Sequence, residues 1–187
     1  GGLTIKANAT LAVFLPDALR YMAAFPYGCS EQLSSKISTL AIIEKAIKVK
    51  NLGANEKEFE VEFDGTRYTI AEGIEAGLDR LYNNQLPGGG FSYYQGLAPN
   101  LNLSIHILNT LSDVKESGFP VREDVLNRAA RFVALETLRP AMTNTGPDVG
   151  ADTLVSAGYA LSRLSNPPQE YRDVLSKVRN IITPAFL

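Results

Sequence analysis

The sequence predicts an all-α protein, built as helical hairpins in two layers of the α/α-toroid type. Three observations predict it. Apolar residues recur at three-to-four spacing along most of the chain, as they do on one face of a helix. The helices are of two kinds. Arg122 to Leu138 is amphipathic, with Val125, Leu126, Ala129, Phe132 and Val133 set against Arg122, Asp124, Arg128 and Arg131. Leu101 to Leu111 and Leu154 to Leu164 are apolar almost all round and must be buried on most sides. Alternation of the two kinds implies an inner layer covered by an outer one. Finally, Leu101, Leu103, His106, Leu108 and Leu111 match Leu154, Ser156, Tyr159, Leu161 and Leu164, a separation of about one helical hairpin.

The elements follow in order. Leu3 to Ala7 reads as a short extended entry and Leu11 to Ala24 as a helix with Pro16 near its start. Cys29 to Lys50 is a long helix with a stripe of Leu33, Ile37, Leu40, Ile43 and Ile47, broken by Glu44. Between residues 57 and 70, the alternation Glu58-Phe59-Glu60-Val61-Glu62-Phe63, then Asp64-Gly65, then Arg67 to Ile70 predicts a small β-hairpin insertion whose core face is Phe59, Val61 and Phe63. Helices resume at about Ala71 to Asn83, Leu101 to Ser117, Arg122 to Leu138, Ala151 to Leu164 and Pro168 to Ile182. Gly118 with Pro120 supplies a stop signal, and Asn166-Pro167-Pro168 a start signal.

Composition bounds the function. A chain of 187 residues is long enough for one domain with a sizeable core. A net charge of −2 without a basic stripe argues against nucleic-acid binding. No apolar run reaches membrane-spanning length. Gly1 to Ile5 lacks an initiator Met and a charged leader, so residues 1–187 read as one domain cut from a longer protein. One His, one Cys and scattered carboxylates make no metal-ligand set, and no cofactor motif is present. Asp148 and Asp152 read as loop and cap residues.

The chemistry concentrates in Pro26-Tyr27-Gly28-Cys29-Ser30-Glu31-Gln32. Pro26 and Gly28 prescribe a bend, which puts Cys29 at a helix N-terminus, where free N–H groups and the positive dipole end favour a thiolate. Gln32 follows three positions on. If the turn is held non-helical, the sulfur can attack the Gln32 carboxamide carbon and expel ammonia, leaving an internal thioester. The bland alternative is an inert Cys at a helix cap.

This heptapeptide resembles the thioester motif of the alpha-2-macroglobulin and complement family, whose common form is Gly-Cys-Gly-Glu-Gln, often after Pro-Tyr in bacterial-type members. Cys29, Glu31 and Gln32 match it, while Ser30 replaces the middle Gly. The resemblance implies a thioester-bearing α/α toroid with more hairpins than this chain supplies, so an incomplete ring. It also implies a parent that traps proteases. Cleavage elsewhere in the parent exposes the thioester, a protease lysine amine takes the Gln32 acyl group, and Cys29 leaves. The module then acts once, as a covalent endopeptidase inhibitor and not an enzyme. Glu31 is a candidate to orient the turn or assist proton movement. Met22, Phe25, Pro26, Tyr27 and Gly28 are candidates to shape the turn and shield it from water. Partners are proteases and the parent's neighbouring domains, and the location is extracytoplasmic: periplasmic, envelope-anchored or secreted.

Gln85-Leu86-Pro87-Gly88-Gly89-Gly90-Phe91-Ser92-Tyr93-Tyr94 is the second distinctive segment. No Lys-Ser/Thr follows it, so it is no phosphate cradle. It resembles the Gln-x-x-x-Gly-Gly-Phe-x-Tyr-Trp loop of toroid folds, in which glycines permit a close turn and aromatics plug the rim. His106, the sole histidine, reads as a helix residue bonded to a backbone or Tyr oxygen in preference to a base or acyl acceptor beside the thioester. Complement-type relatives carry a histidine in the region that here is Ala141 to Thr145. Its absence favours amines over hydroxyls as acceptors. Two other classes stand beside this reading. One is an adhesive or pure interaction module. The other is a toroidal terpene cyclase or prenyltransferase, which needs an Asp-rich motif or zinc ligands.

Overall fold

A computed structural model describes residues 29–50, 61–63, 65–139 and 149–182. The expectations for Leu3 to Ala24, Phe59, Ala141 to Thr145 and Asp148 lie outside them. The described chain is all-α except for one hairpin. In order, it contains α1 (Ser30–Lys50), β1 (Val61–Phe63), β2 (Thr66–Tyr68), α2 (Ile70–Asn83), α3 (Leu101–Glu116), α4 (Glu123–Leu138), α5 (Ala151–Ser162) and α6 (Tyr171–Ile182).

Local chemistry sets most boundaries. Thr69 and Glu72 form a capping box at the start of α2, and Asn100 caps α3 by accepting the Leu103 N–H at 2.9 Å. The Gly118 stop signal holds. With φ at 89°, Gly118 closes α3 while the Phe119 N–H reaches the Val114 carbonyl at 3.2 Å and the Gly118 N–H that of Lys115 at 3.0 Å. Pro168 does not begin α6. Its carbonyl instead accepts the Tyr171 N–H at 3.0 Å in a turn ahead of that helix. Gly150, and not Asp152, occupies the cap of α5. β1 and β2 pair antiparallel, Val61 opposite Tyr68 and Phe63 opposite Thr66, and Val61 is buried as expected.

The helices form two rows. α1, α3 and α5 lie side by side, with α2, α4 and α6 packed behind them. Cross-links between neighbours fix the direction. Ser35 and Ser38 of α1 bond to His106 and Asp113 of α3, and Asn102 and Asp113 of α3 bond to Thr153 of α5 and to Arg163 just past it. Residue numbers rise together on both sides, so the three front helices run parallel. Between the rows lies an apolar core that includes Ile37, Leu40, Ile74, Leu108, Leu111, Ala129, Val133 and Leu161. Each fully buried Leu or Ile side chain there contributes about 1.5–3 kcal/mol. α4 is amphipathic as its sequence predicts, with Val125, Leu126, Ala129, Phe132 and Val133 buried and Arg122, Asp124, Arg128 and Arg131 exposed. α5 departs from expectation. It is not buried on most sides, because Val155 and Tyr159 are 43% and 60% exposed. Among the described residues no further front helix covers that flank.

A polar tie binds the front row. Asp113 accepts the Ser38 hydroxyl at 2.9 Å and the Arg163 guanidinium at 2.7 Å, and Arg163 also reaches Glu116 at 2.9 Å. Burial pushes Arg163 down, but the hydrogen bonds it donates to the Asp113 and Glu116 carboxylates outweigh that and hold it above the ordinary arginine value.

The Gly-rich loop packs between the rows at the end where α1 begins. Its Gln85 pairs with Phe91 in an isolated bridge, and the Gln85 carboxamide donates to the carbonyls of Gly89 at 3.0 Å and Val125 at 2.9 Å. Gly89 has φ at 91°, and a Cβ there would stand 2.3 Å from the Arg128 carbonyl oxygen. A Cβ on Gly90 would stand 2.6 Å from the Phe132 ring. The glycines are therefore required by close approach to α4. Phe91 is fully buried, as a plug should be, but Tyr94 is 56% exposed and plugs nothing.

Two outcomes follow from this packing. Gly90→Ala should cost about 1–3 kcal/mol in urea unfolding, as overpacking does. Combined with Phe132→Leu, it should show a coupling well outside additivity. Asp113→Ala leaves Ser38 without its acceptor and Arg163 with Glu116 as its remaining carboxylate, and should cost about 1–3 kcal/mol by the same measurement.

Candidate functional site

The first turn of α1 sits against the Gly-rich loop. The Leu33 N–H donates to the Cys29 carbonyl at 3.1 Å, which makes Cys29 the residue at the helix cap. The Ser30 N–H donates to the Tyr93 carbonyl at 3.0 Å. Behind it, the buried Ser30 hydroxyl accepts from the Asn84 carboxamide at 3.3 Å, so the end of α2 holds the same turn. One of the open N–H groups that a helix start presents is thereby taken by the loop and is not free to face the sulfur.

Cys29 is a free thiol, half-buried at a bend. Glu31 and Gln32 are exposed in the first turn of α1. Met22, Phe25, Pro26, Tyr27 and Gly28 lie outside the described residues. The chain is helical from Ser30 onward, one residue after the expected start at Cys29, and the Cys29 carbonyl already accepts an intrahelical bond. Helical geometry does not separate the two residues. Positions three apart face the same side of a helix, with Cβ atoms about 5–6 Å apart.

His106 is half-buried on α3, and its Nε2 lies 3.1 Å from the Ser35 hydroxyl of α1. Its partner is therefore neither backbone nor Tyr. Tyr159, its repeat counterpart, is exposed with its ring under Arg163 at 5.8 Å. Sequence reasoning missed Ser35, Asn84 and the Tyr93 carbonyl. A serine inside a helix and a backbone oxygen in a loop carry no signal until the fold brings α1, α2, α3 and the loop together.

Among the described residues no group of three or more His, Cys, Asp or Glu side chains is placed to hold a metal ion, and no helix is long and apolar enough to cross a membrane. A cleft of about 240 Å³ opens elsewhere, lined by Lys115, Glu116, Glu123, Asn127 and Arg163. Its charges are already matched, Lys115 with Glu123 and Arg163 with Glu116.

No family model matches the chain. It is 26% identical over 174 residues to an alpha-2-macroglobulin of Xylella fastidiosa strain Temecula1, covering 88% of this chain and 10% of that protein. It is 27% identical over 169 residues to the alpha-2-macroglobulin of strain 9a5c, with the same coverage. A third, from Thermotoga maritima, is 25% identical over 130 residues, 69% of this chain and 7% of the relative. The chain thus spans about a tenth of the length of the curated relatives it matches. Among solved structures, native alpha-2-macroglobulin from Escherichia coli, spanning domain MG7 to the C-terminus, aligns with a TM-score of 0.60 at 21% identity. The match covers 86% of this chain and 25% of that one. At that identity the likeness shows the fold alone. Sequence and fold together bear out the resemblance carried by Cys29, Glu31 and Gln32: this chain is similar to the bacterial-type alpha-2-macroglobulins.

Proposed function

We propose that residues 1–187 are part of the thioester-bearing α/α-toroid domain of an alpha-2-macroglobulin-like protease trap, and that Cys29 and Gln32 form its thioester. The observation that supports this reading is that Cys29 sits at the cap of α1 and Gln32 in its first turn, a helix start held against the Gly-rich loop through Ser30 and Tyr93. Similarity to bacterial alpha-2-macroglobulins along 88% of the chain supports it. The alternation of a front row and a back row, with the front helices parallel, supports the toroid.

The chemistry is an acyl transfer in two stages. In the first, Cys29 Sγ bonds to the Gln32 carboxamide carbon and ammonia leaves. In the second, a lysine amine of the trapped protease attacks the same carbon, the C–S bond breaks, Cys29 takes the electron pair, and an amide cross-link remains. Glu31 assists by orienting the turn or moving a proton. Met22, Phe25, Pro26, Tyr27 and Gly28 exclude water, since hydrolysis competes with transfer. The module acts once and is not an enzyme. Its partners are proteases and the neighbouring domains of the parent protein, and its place is extracytoplasmic.

Intact mass measurement tests this. Freshly purified protein should be lighter than its sequence by one ammonia and should show no titratable thiol. Methylamine should add at Gln32 and release one thiol, and Cys29→Ala should abolish both changes. A full sequence mass with a freely titrating thiol from the outset would sink the reading.

A further inference from the structure

His106 is the only imidazole of the chain, and the fold sets it against the helix that carries Cys29 and Gln32. Its Nε2 shares a 3.1 Å hydrogen bond with Ser35 Oγ. Ser35 is one turn beyond Gln32, a separation at which side chains are neighbours on a helix surface. Ring and hydroxyl are both half-buried, while Gln32 is exposed.

We propose that Ser35 and His106 form a proton-accepting pair for the transfer step. The inference rests on the thioester reading above. As the amine nitrogen bonds to the Gln32 acyl carbon it becomes positively charged. Ser35 Oγ accepts one proton from that nitrogen and passes its own to Nε2 of His106, which requires the tautomer protonated on Nδ1. The C–S bond then breaks with its electron pair going to Cys29. The imidazolium returns its proton to the thiolate or to water. The net change is amine plus thioester giving amide plus thiol.

The surroundings that bear on this titration are few. On α1 they are Cys29, Glu31 and Lys36, of which Lys36 is buried. On α3 itself, Asp113 lies two turns on and is tied to Ser38 and Arg163. α5 presents Ser156 and Tyr159 at the level between its contacts to Asn102 and Asp113, with Arg163 beside them. α4 meets α3 through the apolar face of Val125, Ala129 and Phe132. From the loop, Tyr93 meets α1 through its carbonyl, which accepts the Ser30 N–H.

The experiment uses the full chain. Thioester content is first fixed by intact mass, and methylamine-driven thiol release is then timed across pH. His106→Gln keeps a hydrogen-bonding group for Ser35, and His106→Ala leaves room for added imidazole. Both variants should still lose one ammonia. Their transfer rates near neutral pH should fall about a hundredfold, the order that a positioned general base supplies. The variant rate should track only the free-amine fraction, whereas the wild type should show a further inflection. Imidazole should rescue His106→Ala and leave the wild type unchanged. Equal rates and equal profiles in wild type and His106→Gln, both carrying the thioester, would overturn the pair alone. A wild type that never loses ammonia would overturn the thioester reading with it.

Discussion

The close seating of the Gly-rich loop on α4 is the constraint on which the rest of the site depends. Gly89 and Gly90 approach the Arg128 backbone and the Phe132 ring at distances no side chain allows. That approach lets Gln85 reach the Val125 carbonyl and lets Phe91 sink into the core. It also fixes where the next residues go. Tyr93 arrives with its carbonyl directed at the first N–H of α1. A loop that stood further from α4 would leave the Cys29 turn without its contact, and the helix start would fray as unsupported termini do.

The parallel front row converts this local contact into a rigid surface. α1 is joined to α3, and α3 to the α5 end, by side-chain bonds made in register. Such bonds are individually modest. Their effect lies in excluding alternatives, since a helix slid by one turn would strand Asp113 and Arg163 without partners, and stranded charges cost far more than satisfied ones gain. The same row brings His106 within a hydrogen bond of Ser35, so the ties that orient α1 also decide what faces the turn after Gln32.

For the proposed thioester, this arrangement bears on how an acyl group is stored. Gln32 is exposed on the described surface, while Cys29 is half-buried. An exposed acyl carbon hydrolyses, so shielding by residues ahead of Cys29 or by neighbouring domains is part of the proposal and not an ornament to it.

The amino-acid sequence by itself determined the helices and the amphipathic character of α4. Periodicity of 3.6, the Gly118 stop and the positive-φ Gly65 between β1 and β2 are local rules, satisfied within a few residues, and the structure obeys them. Tertiary structure alone decided what the residues of those helices meet. That Ser35 finds His106 across 71 positions, that Asn84 and Tyr93 hold Ser30, and that Tyr94 and the flank of α5 stay in solvent are all outcomes of how helices stack. A hydroxyl or a backbone oxygen looks the same in a string of letters wherever it ends up. Only the packing of apolar faces, which is non-directional and distributed over the whole core, selects the register that gives it a partner.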